Sequence, residues 1–428
     1  MKNRTLQVIV VILLAFFIGY FFGTSKINFD WQNYKPVLNV TSKEPPPGIV
    51  NVDFTPFWTV WQNLEANYYD KTKLDQQKML NGAITGMVSA LGDPFTMYLP
   101  PVQNTDFKQG LAGEFSGIGA ELGNKGKDII VIAPLDGSPA EKDGIKPGDT
   151  ILKVDGQSTV GWDLSKAVDQ IRGAKGTPVT LTVMHSDNKQ ADITIIRDTI
   201  TVKSVVMNVE TAKCSTAGCG SVSKDPCSGN NCTQFAYIRL SQFGDNTNQE
   251  WESLVKGISD QINQNKNIKG VVLDLRNNPG GYLTDAQFIA SEFLPMGIPP
   301  AGTVVVRTDN GTTQDQLKVS RQGLLTNVKI VVLINAGSAS ASEIVAGALR
   351  DNRQIELVGE KSYGKGTVQE AQDLGDGAGL HITIAKWLTP DGTWVNGKGL
   401  TPDVAVSLDP KNPAEDTQLD KAVFELLK

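Results

Sequence analysis

The chain has 428 residues, 40% of them hydrophobic and 20% charged, and a net charge of −6. That length exceeds one ordinary core and implies two or three domains, and the mild charge without a long basic run argues against a nucleic-acid partner. The two histidines, His185 and His381, fall in or beside strand-like stretches, away in sequence from any sharp nucleophile signal, so a Ser-His-Asp triad has little to draw on.

From residue 6 to residue 23 no side chain is charged. Eighteen residues at about 1.5 Å each span about 27 Å, close to the hydrocarbon core of a membrane. Lys2 and Arg4 precede the run, so residues 1–5 are expected to stay inside and the rest of the chain to be exported. The run ends FFIGYFFGTSK, and these bulky aromatics favour a retained single-pass anchor over a cleaved signal peptide, whose apolar stretch would be shorter and end in small residues. Residues 24–52, with Pro45-Pro46-Pro47-Gly48, read as an extended stalk.

Residues 53–102 read as a helical segment. Thr55-Pro56 starts one helix, with Phe57, Trp61, Leu64 and Tyr68 at helical spacing. A second is expected over 75–91, stopped by Gly92-Asp93-Pro94. Both are taken as packing elements without chemistry. Residues 103–200 alternate short strands (129–132, 150–154, 179–184, 191–196) with turns, and short helices fit at 139–143 and 163–171, which makes a small α+β or partly open barrel domain.

Residues 201–428 differ. The apolar runs 270–275 and 329–334 are each followed by a helical pattern, near 283–294 and 340–350, and a third strand follows at 354–359. Strand–helix–strand order means a mostly parallel sheet with its active site at the carboxyl ends of the strands. A Gly- and Ser-rich insertion, about 211–234, carries Cys214, Cys219, Cys227 and Cys232. Outside the cytoplasm these point to two disulfides in any of three pairings; a zinc site of all four is the alternative, although their spacings are wider than the usual zinc motifs.

Three turns at successive strand ends carry the candidate chemistry. Ser340, in Asn335-Ala336-Gly337-Ser338-Ala339-Ser340-Ala341-Ser342-Glu343, stands at a strand-to-helix turn, where free helical N–H groups suit an oxyanion. Taken alone, Ser340-x-x-Glu343 is a capping box. Lys365, in GEKSYGKGTVQ, supplies a base where histidine is scarce, provided that an apolar pocket lowers its pKa from about 10.4 to about 7–8. Gln369, four residues on, is placed to hold the amine. Gly280-Gly281, closing DLRNNPGG, offers bare backbone N–H groups. Gly359-x4-Gly364-Lys365 mimics a phosphate loop, but Gly366 replaces the Ser or Thr that binds magnesium.

LGDPFTMYL, DLRNNPGG, NAGSASASEI, GEKSYGKGTVQ and LTPDGTWVNGKGLTPDV together resemble the carboxyl-terminal processing proteases, a serine–lysine family that includes tail-specific protease, over about residues 54–428. The resemblance implies a multi-domain α/β protein: a crotonase-like protease core with an inserted PDZ domain and an N-terminal helical segment behind a transmembrane helix. It implies Ser340 as nucleophile, Lys365 as base and Gln369 as its support, with Gly280, Gly281 and Ala341 as the oxyanion hole. It makes 103–200 the PDZ domain, with Ser116-Gly117-Ile118-Gly119 as the loop that holds a substrate's C-terminal carboxylate, and Arg197 resembles a residue that couples PDZ position to the active site. The cysteine insertion departs from that pattern. The partners implied are protein substrates held by their tails, the membrane through one helix, and a homo-oligomer or adaptor protein. No metal or cofactor is expected. The rival readings, a PDZ scaffold on a dead protease and a hydrolase of cell-wall amides or esters, are opposed by the intact Ser340, Lys365 and Gln369 and by the tail-reading PDZ.

Overall fold

The computed structural model describes residues 27–32, 35–40, 52–125, 127–135, 137–185, 187–215, 218–222, 232–297, 302–309, 313–408 and 415–428. Residues 6–23, expected to cross a membrane, lie outside them; among the described residues no helix is long and apolar enough to do so. The chain forms two compact units, residues 1–92 with 373–378, and residues 93–372 with 379–428.

The first unit begins within the expected stalk, where β1 (Ile27–Gln32) and β2 (Lys35–Val40) pair antiparallel, so the chain doubles back there instead of running on as a spacer. α1 (Thr55–Asn67) starts at the predicted Thr-Pro step, and α2 (Gln76–Ser89) is capped by Asp75, whose carboxylate accepts the Lys78 N–H at 3.0 Å. Among the described residues none of α1 is buried, and the rings of Phe57, Trp58 and Trp61 meet edge-on or tilted at 5.0–6.4 Å between centres.

The second unit opens with β3 (Met97–Leu99) and α3 (Pro101–Leu111). The domain over 103–200 follows: β4 (Glu114–Gly117), β5 (Ala120–Lys125), β6 (Asp128–Pro134), α4 (Pro139–Lys142), β7 (Thr150–Val154), β8 (Gln157–Ser158), α5 (Leu164–Ile171), β9 (Pro178–Met184), β10 (Gln190–Ile196) and β11 (Asp198–Thr201). Its sheet runs β10-β9-β7-β6-β5 around a core of its own that includes Ile129, Val131, Ile151, Leu181 and Ile195. β5 lies at the edge, as a strand must if a peptide is to add beside it. His185 serves structure here, its Nδ1 lying 2.8 Å from the buried Asp149 carboxylate.

The core comprises β12 (Val205–Ser215), β13 (Gly218–Val222), β14 (Gln234–Leu240), α6 (Thr247–Gln264), β15 (Ile268–Asp274), α7 (Leu283–Phe293), β16 (Thr303–Asp309), β17 (Thr313–Lys318), β18 (Ile330–Ile334), α8 (Ala341–Arg353), β19 (Leu357–Gly359), β20 (Thr367–Asp373), β21 (Gly379–Leu388), β22 (Val404–Ala405) and α9 (Thr417–Leu427). The main sheet runs β13-β12-β14-β15-β18-β19-β22, parallel from β14 to β22, as the strand–helix alternation predicts. A second, antiparallel sheet, β17-β16-β21-β20, takes β3 onto β21. At the carboxyl end of β15 the fully buried Asp274 binds Arg276, and Arg276 reaches Asp416 at the cap of α9 at 2.7 and 2.8 Å. Burial works against the Arg276 charge, but the two carboxylates more than offset it and hold its pKa above the ordinary value.

β12 and β13 form the base of the cysteine insertion, with Cys214 opposite Cys219 in register. Cys232 is disulfide-bonded. Cys227 lies outside the described residues.

Candidate active site

The three turns read as separate strand-end features are stitched into one. Asn335 Oδ1 accepts the Asn277 N–H at 2.8 Å, the Ser338 hydroxyl donates to the Leu275 carbonyl at 2.8 Å, and the Ala339 N–H and the Ser342 hydroxyl donate to the Asn278 carbonyl at 3.0 and 2.9 Å. The loop after β15 therefore fixes the loop after β18. Ser340 emerges from this seam at φ 53°, a conformation costing about 1 kcal/mol or more for a residue with a Cβ. It opens α8 in the expected capping box: its side chain faces the Glu343 N–H, and Glu343 accepts the Ser340 N–H at 2.9 Å.

Glu343 does more than cap. It is fully buried, and the oxygen that takes the Ser340 N–H also takes that of Lys365 at 2.9 Å. Its other oxygen accepts from the Ser362 hydroxyl at 2.5 Å and the Gly364 N–H at 2.8 Å. One carboxylate thus holds the backbones of both candidate catalytic residues. Two indoles finish the lysine loop: Trp387 donates to the Lys365 carbonyl and Trp394 to the Gly366 carbonyl, each at 2.9 Å.

Ser340, Ala341, Gly280, Gly281, Lys365 and Gln369 all line one cavity of ≈ 540 Å³, whose walls include Phe95, Met97, Leu283, Ile344 and Val368. The Lys365 ammonium sits 5.0 Å from the centre of the Phe95 ring. Burial lowers the Lys365 pKa and the charge of Asp93 partly restores it. Burial also works against the charge of Asp93, but hydrogen bonds from Thr383, Thr96 and Phe95 prevail and hold its carboxyl below the usual range. Gln369 does not hold the lysine by any bond described here; its amide donates to Thr367 and Thr383 at 2.8 and 3.1 Å. His381, on β21, also lines the cavity, edge-on to Phe107 at 4.4 Å between ring centres.

The donors at the turn are not equivalent. The Gly280 N–H is committed to Asn278 Oδ1 at 2.9 Å, whereas the Gly281 and Ala341 N–H groups have no acceptor among the described residues. Gly280 matters through its missing side chain. At φ 99°, a Cβ there would stand 2.9 Å from Ser340 Cβ and 3.0 Å from the Ala341 nitrogen. Gly280→Ala is expected to strain the turn beneath Ser340, read as a lower denaturation midpoint than wild type.

Gly117, Ile118 and Gly119 line a groove of ≈ 120 Å³ with Ala120 and Leu122 of β5 and Val168 and Ile171 of α5. Ser116 pairs with Thr199 in the β4–β11 ladder. Arg197 is buried within this domain: it donates to the Ile171, Gln170 and Pro178 carbonyls and to Thr177, so its hydrogen bonds brace the end of α5 and none reaches the catalytic cavity. Asp93, Phe95, Glu343 and the two tryptophans were not singled out from the sequence as site residues; for Asp93 and Phe95 the LGDPFTMYL segment was the available signal.

Residues 234–406 match peptidase family S41, residues 105–184 a PDZ domain, and residues 24–101 the N-terminal domain of the activating protease CtpB. The chain is 39% identical over 353 residues to a carboxy-terminal-processing protease of Bartonella bacilliformis (82% of this chain, 74% of that one) and 36% identical over 348 residues to carboxy-terminal processing protease CtpA of Bacillus subtilis (81% and 68%). The chain belongs to peptidase family S41. With a probable CtpA-like serine protease of Staphylococcus epidermidis it shares 39% identity over 350 residues, and it spans 64% of that relative's length. Among solved structures, the photosystem II D1 C-terminal processing protease superposes with a TM-score of 0.51 at 28% identity, covering 86% of this chain and 96% of that one. A putative S41 protease from Bacteroides fragilis, TM-score 0.55 at 13% identity over 89% and 97%, shares the fold.

Proposed function

We propose that this S41 member is a serine endopeptidase that cleaves near protein C-termini through a Ser340–Lys365 dyad, on the outer side of a membrane to which residues 6–23 anchor it. The observation that carries the reading is a single cavity that holds Ser340, strained at the start of α8, and Lys365, with a depressed pKa, both backbones fixed by Glu343. The neutral amine of Lys365 takes the proton from Ser340 Oγ as the oxygen attacks the scissile carbonyl. The oxyanion is received by the Gly281 and Ala341 N–H groups, with Gly280 keeping the space open. Lys365 then protonates the departing amine, and water, activated the same way, releases the acyl group. Gln369 lines the cavity and orders its lysine side.

In this reading the PDZ groove captures the substrate first. A tail adds along the edge strand β5, its carboxylate meets the Ser116–Gly119 turn, and its last side chain enters the apolar slot against α5. Amidation of a substrate's C-terminus is expected to raise KM about tenfold while leaving kcat unchanged, because only the carboxylate contact is removed. Equal kinetics for free and amidated tails would sink the PDZ role. Two disulfides bracing the cysteine insertion, and self-association or adaptor binding through the exposed aromatic row of α1, complete the proposal.

The deciding experiment incubates the full chain with an unstructured protein and maps the cuts by mass spectrometry in wild type, Ser340→Ala and Lys365→Ala. Equal cleavage by all three would overturn the dyad.

A further inference from the structure

Asp285, the third residue of α7, is 95% buried by neighbouring groups, with 5% of its surface exposed, and sits just past the Gly280-Gly281 turn. Asn248, in the first turn of α6, donates its amide to Asp285 Oδ1 at 2.9 Å. The two remaining atoms, Asp285 Oδ2 and Asn248 Oδ1, are both buried and both lack a partner. Two orphaned acceptors on a pair of groups already joined by one bond need a donor, and an ionised carboxylate has none. A single proton on Asp285 answers both.

We propose that Asp285 is a positioning residue held as a neutral carboxylic acid, its Oδ2–H donating to Asn248 Oδ1 while the Asn248 amide donates back, so that a two-bond ring locks the first turns of α6 and α7. The segment that this ring fixes is the one that presents the oxyanion donor: the Phe243 N–H donates to the Gly280 carbonyl and the Tyr282 N–H to the Phe243 carbonyl, each at 2.9 Å. The proposed protease activity enters only through the role of that turn. The surroundings favour the neutral acid. Asp245, from the loop before α6, faces Asp285 with a like charge and takes the Tyr282 hydroxyl at 2.8 Å; Thr284 faces it from its own helix, and no cation pairs with it among the described residues. The start of a helix and hydrogen bonds from Asn248 and Thr284 favour a charged carboxylate, but burial, the largest influence, with the like charge of Asp245, prevails and raises the Asp285 pKa from 3.8 to about 6. A bound cation would be the other way to satisfy two oxygens, yet no group of three or more ligating side chains gathers among the described residues.

The sign of the pH effect follows. The folded state holds this proton more tightly than the unfolded chain, so the stabilisation is complete below about 4 and is lost as pH rises through about 6, a weakening of the folding equilibrium of about 100-fold for two pKa units. The test uses the full chain and records the unfolding midpoint and the infrared band of protonated carboxyls against pH, with cleavage rates alongside. In wild type the midpoint is expected to fall across that window. Asp285→Asn, whose amide N–H can replace the acid O–H, is expected to abolish the fall, to remove one protonated-carboxyl signal, and to recover most of the kcat that Asp285→Ala loses at unchanged KM. The proposal is overturned if Asp285→Asn removes no carboxyl signal, if it is as destabilised as Asp285→Ala, or if calcium raises the midpoint of wild type but not of Asp285→Asn. The spectroscopic and stability arms stand even if the chain cleaves nothing.

Discussion

Ser340→Ala is expected to leave no measurable cleavage, a loss on the order of 10⁶-fold in kcat when a nucleophile acts as one unit with its base. Its unfolding midpoint is expected to fall only slightly: a capping serine replaced by alanine costs about 0.5–2 kcal/mol, and alanine inherits the same φ of 53° with no added strain. Lys365→Ala is expected to be equally inactive. If Lys365 is the proposed base, kcat/KM is expected to rise with pH as Lys365 loses its proton, and because burial depresses this pKa the rising limb is expected below the usual lysine value of about 10.4. Asp93 opposes that depression, so Asp93→Asn is expected to move the limb to lower pH. A pH–rate profile of the two proteins measures the displacement. Identical profiles would remove Lys365 from the role of base.

The strands that carry the site were legible because two are largely apolar runs, the third is a short Ile-, Leu- and Val-bearing stretch, and each ends in a turn rich in glycine or serine. Residues 270–275, 329–334 and 354–359 became β15, β18 and β19, and the helices after the first two followed. Ser340, Lys365 and Gly280 were read as candidates on the rim of one sheet, and all three line one cavity. What could not be read was contact between distant segments. Asp93 and Phe95 lie just past a stop read as the end of a packing helix; Phe95 reaches the cavity, and Asp93 comes near enough for its charge to act on Lys365, because β3 pairs with β21 and the Thr96 hydroxyl accepts the N–H of Thr383, 287 residues away. β5 was missed because Gly123 and Asn124 interrupt its alternation, although it is the edge on which a peptide would add. Arg197 carried a coupling role by resemblance, while its hydrogen bonds close locally on the end of α5.

Glu343 shows how far a local reading can reach. As part of Ser340-x-x-Glu343 it promised one hydrogen bond to its own helix start; in the fold it accepts four, from Ser340, Lys365, Gly364 and Ser362. Glu343→Gln keeps the shape but turns one end of the side chain into a donor facing two donors. It is expected to cost about 2–4 kcal/mol of stability through the unsatisfied buried groups, read as a lower denaturation midpoint at unchanged slope. Because the lost bonds fix the backbones of the proposed nucleophile and base together, kcat is expected to fall about 10²–10³-fold with KM nearly constant, as for loss of an interaction made in the transition state. Ser362→Ala separates the two effects. It removes a single neutral donor from the far oxygen of Glu343, while the N–H bonds of Ser340 and Lys365 remain, so it is expected to lose stability with little change in kcat. If Ser362→Ala lowered kcat as much as Glu343→Gln, the carboxylate would be supporting the loop as a whole and not aligning the two catalytic backbones.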